Sequence, residues 1–285
     1  MNKASLFLFT FTMSSSFSIS SAQVPPELNI KKSVPSTPSV NFIVPTNVGR
    51  LANLADARLI LLGDSNHYGA ESKIVSELAL ETLVEMQKSN HRKRKCLAPE
   101  AEPILDPLFR NLSKSSTPES KDVANIQLEK MGLGPVTIGW IGNVYTMPFF
   151  EFAQAHGWIV RSGDMHRNEE YWQKSRAENV DPQWLRYHQL YLRDQFMTQR
   201  LRQLLVKDCD LVVFFVGSAH LMQTEEIPEF KVSLRPIPIL LRRENVKSLN
   251  IVFLADRQTE SWTSADPASL EQQSVLSLID AFVTK

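Results

Sequence analysis

Cysteine is scarce in this chain, with two residues in 285. Neither lies in a Cys-x-x-Cys pair or has a histidine between them at ligand spacing, which excludes a disulfide-dense scaffold and argues against a structural zinc site. Glycine is sparse too (10 residues), and no strand-like run is followed by a Walker loop or a Gly-x-Gly-x-x-Gly turn, so the backbone cradle that nucleotides need is missing. No Gly-x-Ser-x-Gly elbow occurs either, which removes a serine nucleophile of that kind. Neither sign of charge is in excess, with 31 Lys plus Arg against 31 Asp plus Glu. No global field therefore draws in nucleic acid or an anionic membrane, and a ligand has to be held by a local site. The five tryptophans, at 140, 158, 172, 184 and 262, are scattered and form no stacking platform. What remains is ordinary for a folded domain: 43% hydrophobic and 22% charged residues.

Long apolar runs are also absent. The longest near the start, ASLFLFTFTM, is well short of the roughly 20 residues of a spanning helix. With Lys3 before it and small residues ending at Ala22, the segment 1–22 reads as a secretory signal, the alternative being a buried first strand. The expectation is an exported protein, periplasmic or secreted, without a membrane segment and without a cysteine placed for a lipid anchor. Residues 23–50 carry Pro25, Pro26, Pro35, Pro38 and Pro45 among Ser and Thr and read as a leader, leaving 51–285 as one domain. Export makes a Cys96–Cys209 disulfide possible, since both precede strand-like runs. Two buried thiols fit the sequence equally well.

Within 51–285, short apolar runs alternate with helical patterns. Residues 58–63, 96–98, 158–160 and 211–216 read as strands; 71–87, 148–155 and 189–206 read as helices. The last of these helices spaces Leu190, Met197, Leu201, Leu204 and Leu205 along one face. Residues 237–241 and 251–254 are expected to be late strands at an edge of the sheet, with a final helix from 266 through 283. Strand-then-helix repetition implies parallel pairing with right-handed crossovers, hence an α/β fold of three layers, a mostly parallel sheet with helices on both faces. The polar stretch 105–134 is expected to be an insertion or cap over a site.

The four strands end in ionisable groups: Asp64 and His67 after the first, Glu100 and Glu102 after the second, Asp164 and His166 after the third, His220 after the fourth. Open parallel sheets bind ligands at the carboxyl ends of their strands, where the loops converge, so these residues are expected to share one crevice. His156 and His188 fall in helices, and His91 lies in the basic run 88–95, which reads as a solvated loop. Imidazoles and carboxylates together can ligate a divalent cation, or a carboxylate can orient a histidine for acid–base work.

These residues also carry a family resemblance. Leu61-Leu62-Gly63-Asp64-Ser65-Asn66-His67, with Glu71 four residues on, looks like the Gly-Glu-x-x-His signature that opens erythromycin-esterase-like, TIKI-like and ChaN-like proteins. Arg193-Asp194-x-x-Met197, then an apolar strand and Gly217-Ser218-Ala219-His220, is similar to the ChaN-like helix and strand end, and the resemblance spans about 59–241. It implies a role for Arg193 and Asp194 in the helix motif. His67 and His220 match the family's two histidines, and Glu71 matches the second acidic position of the esterase branch. Glu100 resembles the acidic strand end, a place for which Glu102 competes.

The ChaN-like branch implies an exported haem-binding protein of iron uptake, with Tyr68, Asp164, His166 and His220 as haem-contacting candidates and Tyr187 and Tyr191 as further ligands. The esterase and TIKI branch implies a hydrolase. Its catalytic set would be Asp64, His67, Glu71, Glu100, Arg193 and His220, with His67, Glu71 and His220 able to ligate a divalent metal. Asp64 stands where the family has Glu, one methylene and about 1.5 Å shorter. That departure leaves a third reading, a retained fold with an altered site.

Overall fold

The computed structural model describes residues 42–54, 56–64, 72–112, 119, 147–175, 177–254 and 279–283. All lie in one unit, Pro38–Lys285. The central strands are β2 (Leu59–Asp64), β3 (Lys95–Pro99), β5 (Leu211–Gly217) and β8 (Leu249–Phe253), each buried along its whole length. Short strands β1 (Phe42–Ile43), β4 (Ile159–Val160) and β9 (Ala281–Val283) complete a seven-stranded sheet of order β1-β9-β8-β2-β5-β3-β4. Every pairing in it is parallel. Continuous apolar runs such as LVVFFVG are what a parallel sheet demands, because helices cover both of its faces.

The two faces separate by alternate residues along the strands. Ile60, Leu62, Val213, Phe215, Ile251 and Phe253 face one core, with helices α1 (Pro45–Leu54), α2 (Ser72–Ser89), α3 (Asp106–Leu112) and α4 (Met147–His156). Leu59, Leu61, Val212, Phe214 and Val216 face the other. The expected three-layer α/β fold is therefore present.

On the second face the chain runs through α5 (Glu169–Ser175) and α6 (Pro182–Arg186), then a π-helical turn, Tyr187–Tyr191, and into α7 (Leu192–Lys207). Met197, Leu201 and Leu204 of α7 are fully buried against the sheet, as their spacing predicts. After β5 come the single-turn helix α8 (Ala219–Met222), the antiparallel pair β6 (Glu225–Ile227) and β7 (Val232–Leu234), and α9 (Ile237–Arg243). Cys96 of β3 and Cys209, two residues before β5, are joined by a disulfide within this core.

Several expectations are corrected. Residues 42–50, read as the end of a leader, contribute β1 and most of α1, with Val48 fully buried. Residues 237–241 form a helix, not a strand, and 251–253, expected at an edge, belong to β8 inside the sheet between β9 and β2. Ile237, Leu240 and Leu241 are buried at helical spacing, and Pro238 is tolerated because the first turn lacks intrahelical acceptors for its missing N–H. Residues 281–283 are a strand and not the end of a helix. Of the polar stretch 105–134, the first part is core: Leu105, Leu108 and Phe109 are buried, and Asp106 ties it to the segment after β4 through Ser162 N–H (2.6 Å) and to α7 through Arg200 (3.1 Å). Most of the rest lies outside the described residues. Gly157 stops α4 as expected, at φ +68°.

Candidate active site

Backbone pairing continues past the ends of the strands and sets the site. Glu100 N–H donates to Phe215 O (3.0 Å), Ser218 N–H to Asp64 O (2.7 Å), and Gly163 N–H and Asp164 N–H to Pro99 O and Ala101 O (both 3.0 Å). The last pair lays residues 163–164 along the chain leaving β3. Only glycine fits there, since a Cβ on Gly163 would lie 2.3 Å from the Phe214 ring and 3.0 Å from Pro99 O. Asp64, Glu100, Asp164 and His220 thus emerge from β2, β3, β4 and β5 at one rim of the sheet, and α7 lays Arg193 and Asp194 across it.

At the centre is Arg193, 6% exposed. Its Nε donates to both oxygens of Asp164 (3.0 and 3.1 Å), and Nη2 donates to Asp164 Oδ2 (2.6 Å) and to Glu100 Oε1. Burial works against the guanidinium's charge, but the Asp164 and Glu100 carboxylates outweigh it and hold its pKa well above the ordinary value. The other oxygen of Glu100 accepts from Gly217 N–H at 2.9 Å.

His220 is 4% exposed and held from both sides. Nδ1 donates to Asp194 Oδ1 at 2.5 Å, and Nε2 faces Glu100 Oε1 at 3.6 Å. Burial alone would lower the imidazole's pKa; the charges of Asp194 and then Glu100 more than reverse that and raise it to about 9. Asp194 itself is pushed up to about 6, because burial outweighs the pull of His220. Its Oδ2 is buried without a hydrogen-bond partner among the described residues. Between those two values the pair is an ion pair, and His220 carries a proton to give.

A second clamp lies alongside. Glu102, also buried, accepts from Arg167 N–H (2.9 Å) and Nε (3.1 Å), while Arg167 Nη2 lies 3.4 Å from Asp164 Oδ2. Glu102 therefore holds the segment that carries Asp164, and Glu100 is the acidic group that faces His220. His166 sits at the outer end of this clamp, with Nδ1 3.1 Å from Glu102 Oε2 and its side chain 57% exposed.

The structure thus brings together Glu100, Asp164, Arg193 and His220, places Asp64 on the adjoining strand end, and leaves His166 at the periphery. His67, Tyr68 and Glu71 lie outside the described residues. Tyr187 and Tyr191 are half-buried and stack on each other (5.3 Å), with Tyr187 also stacked on Phe230 (4.1 Å). Sequence reasoning missed Arg167, one arginine among many with no motif around it, and the Gly217 amide, which no side-chain pattern reveals. Asp194 was legible through the Arg-Asp motif.

A divalent cation does not fit the described cluster. The guanidinium of Arg193 already sits on the Glu100 oxygen nearest His220, where it would repel the ion, and no group of three His, Cys, Asp or Glu among the described residues is placed to hold a metal. A porphyrin iron does not fit His220 either: the Asp194 and Glu100 carboxylates keep both ring nitrogens protonated, which leaves no lone pair for the metal. The exposed His166, anchored at Nδ1 by a carboxylate, has the form of a ligating imidazole.

No family model and no curated protein matches the chain. Among solved structures it is similar to the type III effector HopBA1, at 14% identity over 77% of this chain and 88% of that one, with a TM-score of 0.46. Two structures of bacterial protein toxins align at 16% and 17% identity over 72% and 71% of this chain, each with a TM-score of 0.43. The chain spans 36% of the length of each of those two toxin chains.

Proposed function

We propose that this protein is a hydrolase of the erythromycin-esterase/TIKI-like class, in which His220, oriented by Asp194, is the proton donor. One observation carries the reading: a buried imidazole held at Nδ1 by a carboxylate and faced at Nε2 by a second, at the carboxyl rim of a parallel sheet. In ester hydrolysis, water adds its oxygen to the acyl carbon and the acyl–oxygen bond breaks. The leaving alkoxide takes the proton of His220 Nε2, and a base takes the proton of the water. Glu100 is engaged by Arg193 and the Gly217 amide, and its charge helps to keep the imidazole protonated. His67 and Glu71 are the candidate bases. Export is part of the proposal, and the Cys96–Cys209 disulfide supports it, since such bonds persist in oxidising compartments.

The test is hydrolysis of ester and peptide panels, with and without added divalent metal. His220→Ala is expected to lower kcat by about 10²-fold or more; unchanged turnover in that variant would remove His220 from the reaction. Haem carriage in iron uptake is the second reading, favoured by the exposed, carboxylate-held His166. A Soret shift with micromolar haem that disappears in His166→Ala or Tyr68→Phe would support it, and no spectral change would reject it.

A further inference from the structure

We propose that Asp164 and Arg193 form a positioning pair that touches no substrate: Asp164 fixes the plane of the Arg193 guanidinium, and Arg193 in turn holds Glu100 in place against His220. This rests on the reading of His220 as the proton donor and assigns the two residues roles that differ from a catalytic arginine and a cofactor-binding aspartate.

Asp164 is 0% exposed, and both of its oxygens are engaged: Oδ1 by Arg193 Nε and Met165 N–H (2.7 Å), Oδ2 by Arg193 Nη2 and, at 3.4 Å, Arg167 Nη2. The three nitrogens of the Arg193 guanidinium are engaged as well, since Nη1 donates to Gln189 O at 3.3 Å while Nε and Nη2 serve the two carboxylates. Asp164 is wholly enclosed, and four of the five N–H groups of Arg193 are turned to these protein acceptors.

The carboxylates that Arg193 bridges come from different strand ends, Glu100 from β3 and Asp164 from β4. Only a planar fork binds both at once, whereas a lysine ammonium is a point charge on a flexible stem. Glu100 is held by Arg193 at Oε1 and by Gly217 N–H at Oε2. Without Asp164 the guanidinium loses the partner that sets its plane, and the oxygen facing His220 loses its fixed position. An alternating series of charges, Glu102, Arg167, Asp164, Arg193, Glu100, His220 and Asp194, thus runs across the rim and ends on the proton donor.

The experiment compares full-length wild type with Asp164→Asn, Arg193→Lys and the double variant, on an ester or peptide that the wild type hydrolyses. Each single change is expected to lower kcat about 10- to 100-fold, with KM within about twofold. The double variant is expected to be no worse than the poorer single, because two residues acting through one carboxylate are lost only once. KM rising several-fold with kcat unchanged would place one of them on the substrate, and multiplying losses would break the pair; either overturns the proposal. Crystal structures of wild type and both single variants give a readout free of turnover. Glu100 displaced from the Gly217 amide in either variant supports the pair, and Glu100 unmoved in both overturns it. Should Asp164→Asn fail to fold, Arg193→Lys decides by the same two measurements. If the wild type hydrolyses nothing, the hydrolase reading fails and the crystal structures decide the pair alone.

Discussion

Replacing Asp194 by asparagine should abolish a pH dependence of stability that the wild type carries between neutrality and pH 9. In the folded chain His220 titrates at about 9, against 6.5 ordinarily, because the Asp194 and Glu100 carboxylates outweigh its burial. At roughly 1.4 kcal/mol per pH unit, that difference is worth about 3 kcal/mol. The sign follows from proton binding. Below pH 6.5 both folded and unfolded chains hold the proton and the contribution is complete. Between 6.5 and 9 only the folded chain holds it, so stability falls as pH rises and the contribution is gone above 9. Asp194, raised to about 6 from 3.8, adds a contribution of the same sense that is complete below 3.8 and lost as pH rises through 6, outside the window of interest. In Asp194→Asn the imidazole loses the first of its charged partners and burial pulls it down, so it sheds its proton and no uncompensated charge is left inside. Urea unfolding from pH 6.5 to 9 should show the wild-type decline and a nearly flat variant. The His220 ring resonance, assigned by its loss in His220→Gln, should remain that of the charged form well above neutrality in the wild type alone. Equal slopes in both proteins, or a wild-type His220 resonance titrating near 6.5, would refute the reasoning.

Two further outcomes test the fold beneath the site. The Cys96–Cys209 bond spans 113 residues; its loss in Cys96→Ala/Cys209→Ala should cost about 4–5 kcal/mol by loop entropy, read by urea unfolding, and a variant within about 1 kcal/mol of wild type would mean the denatured chain gains little from the link. Gly163→Ala should cost about 1–3 kcal/mol, since the added carbon meets the Phe214 ring and Pro99 O, and a neutral effect in thermal melts would show that the ring yields without strain.

The strands were legible in proportion to their burial. LILLGD and LVVFFVG announce themselves because a parallel sheet covered on both faces needs unbroken apolar runs. The α7 face was equally clear from Met197, Leu201 and Leu204. Residues 237–241 misled because five apolar residues fit a buried strand or one helical turn, and packing on the second face decides between them. Residues 42–50 misled because Pro45 reads as one more proline of the linker before it, whereas it opens a helix and Phe42–Ile43 pairs with β9, a partner 240 residues away in the chain.

By its own order the chain determined which residue types stand at the ends of four strands, because strand-then-helix repetition fixes which ends of a parallel sheet the following loops share. Only the tertiary structure decided what those residues do to one another. Glu100 and Glu102 are two positions apart, yet one faces His220 beside Arg193 and the other clamps Arg167. Asp164 became an anchor for Arg193 and His166 a surface group through the same short segment. Distances of 2.5–3.6 Å between groups dozens of residues apart set their charges, and such distances depend on how layers pack, which no local pattern encodes.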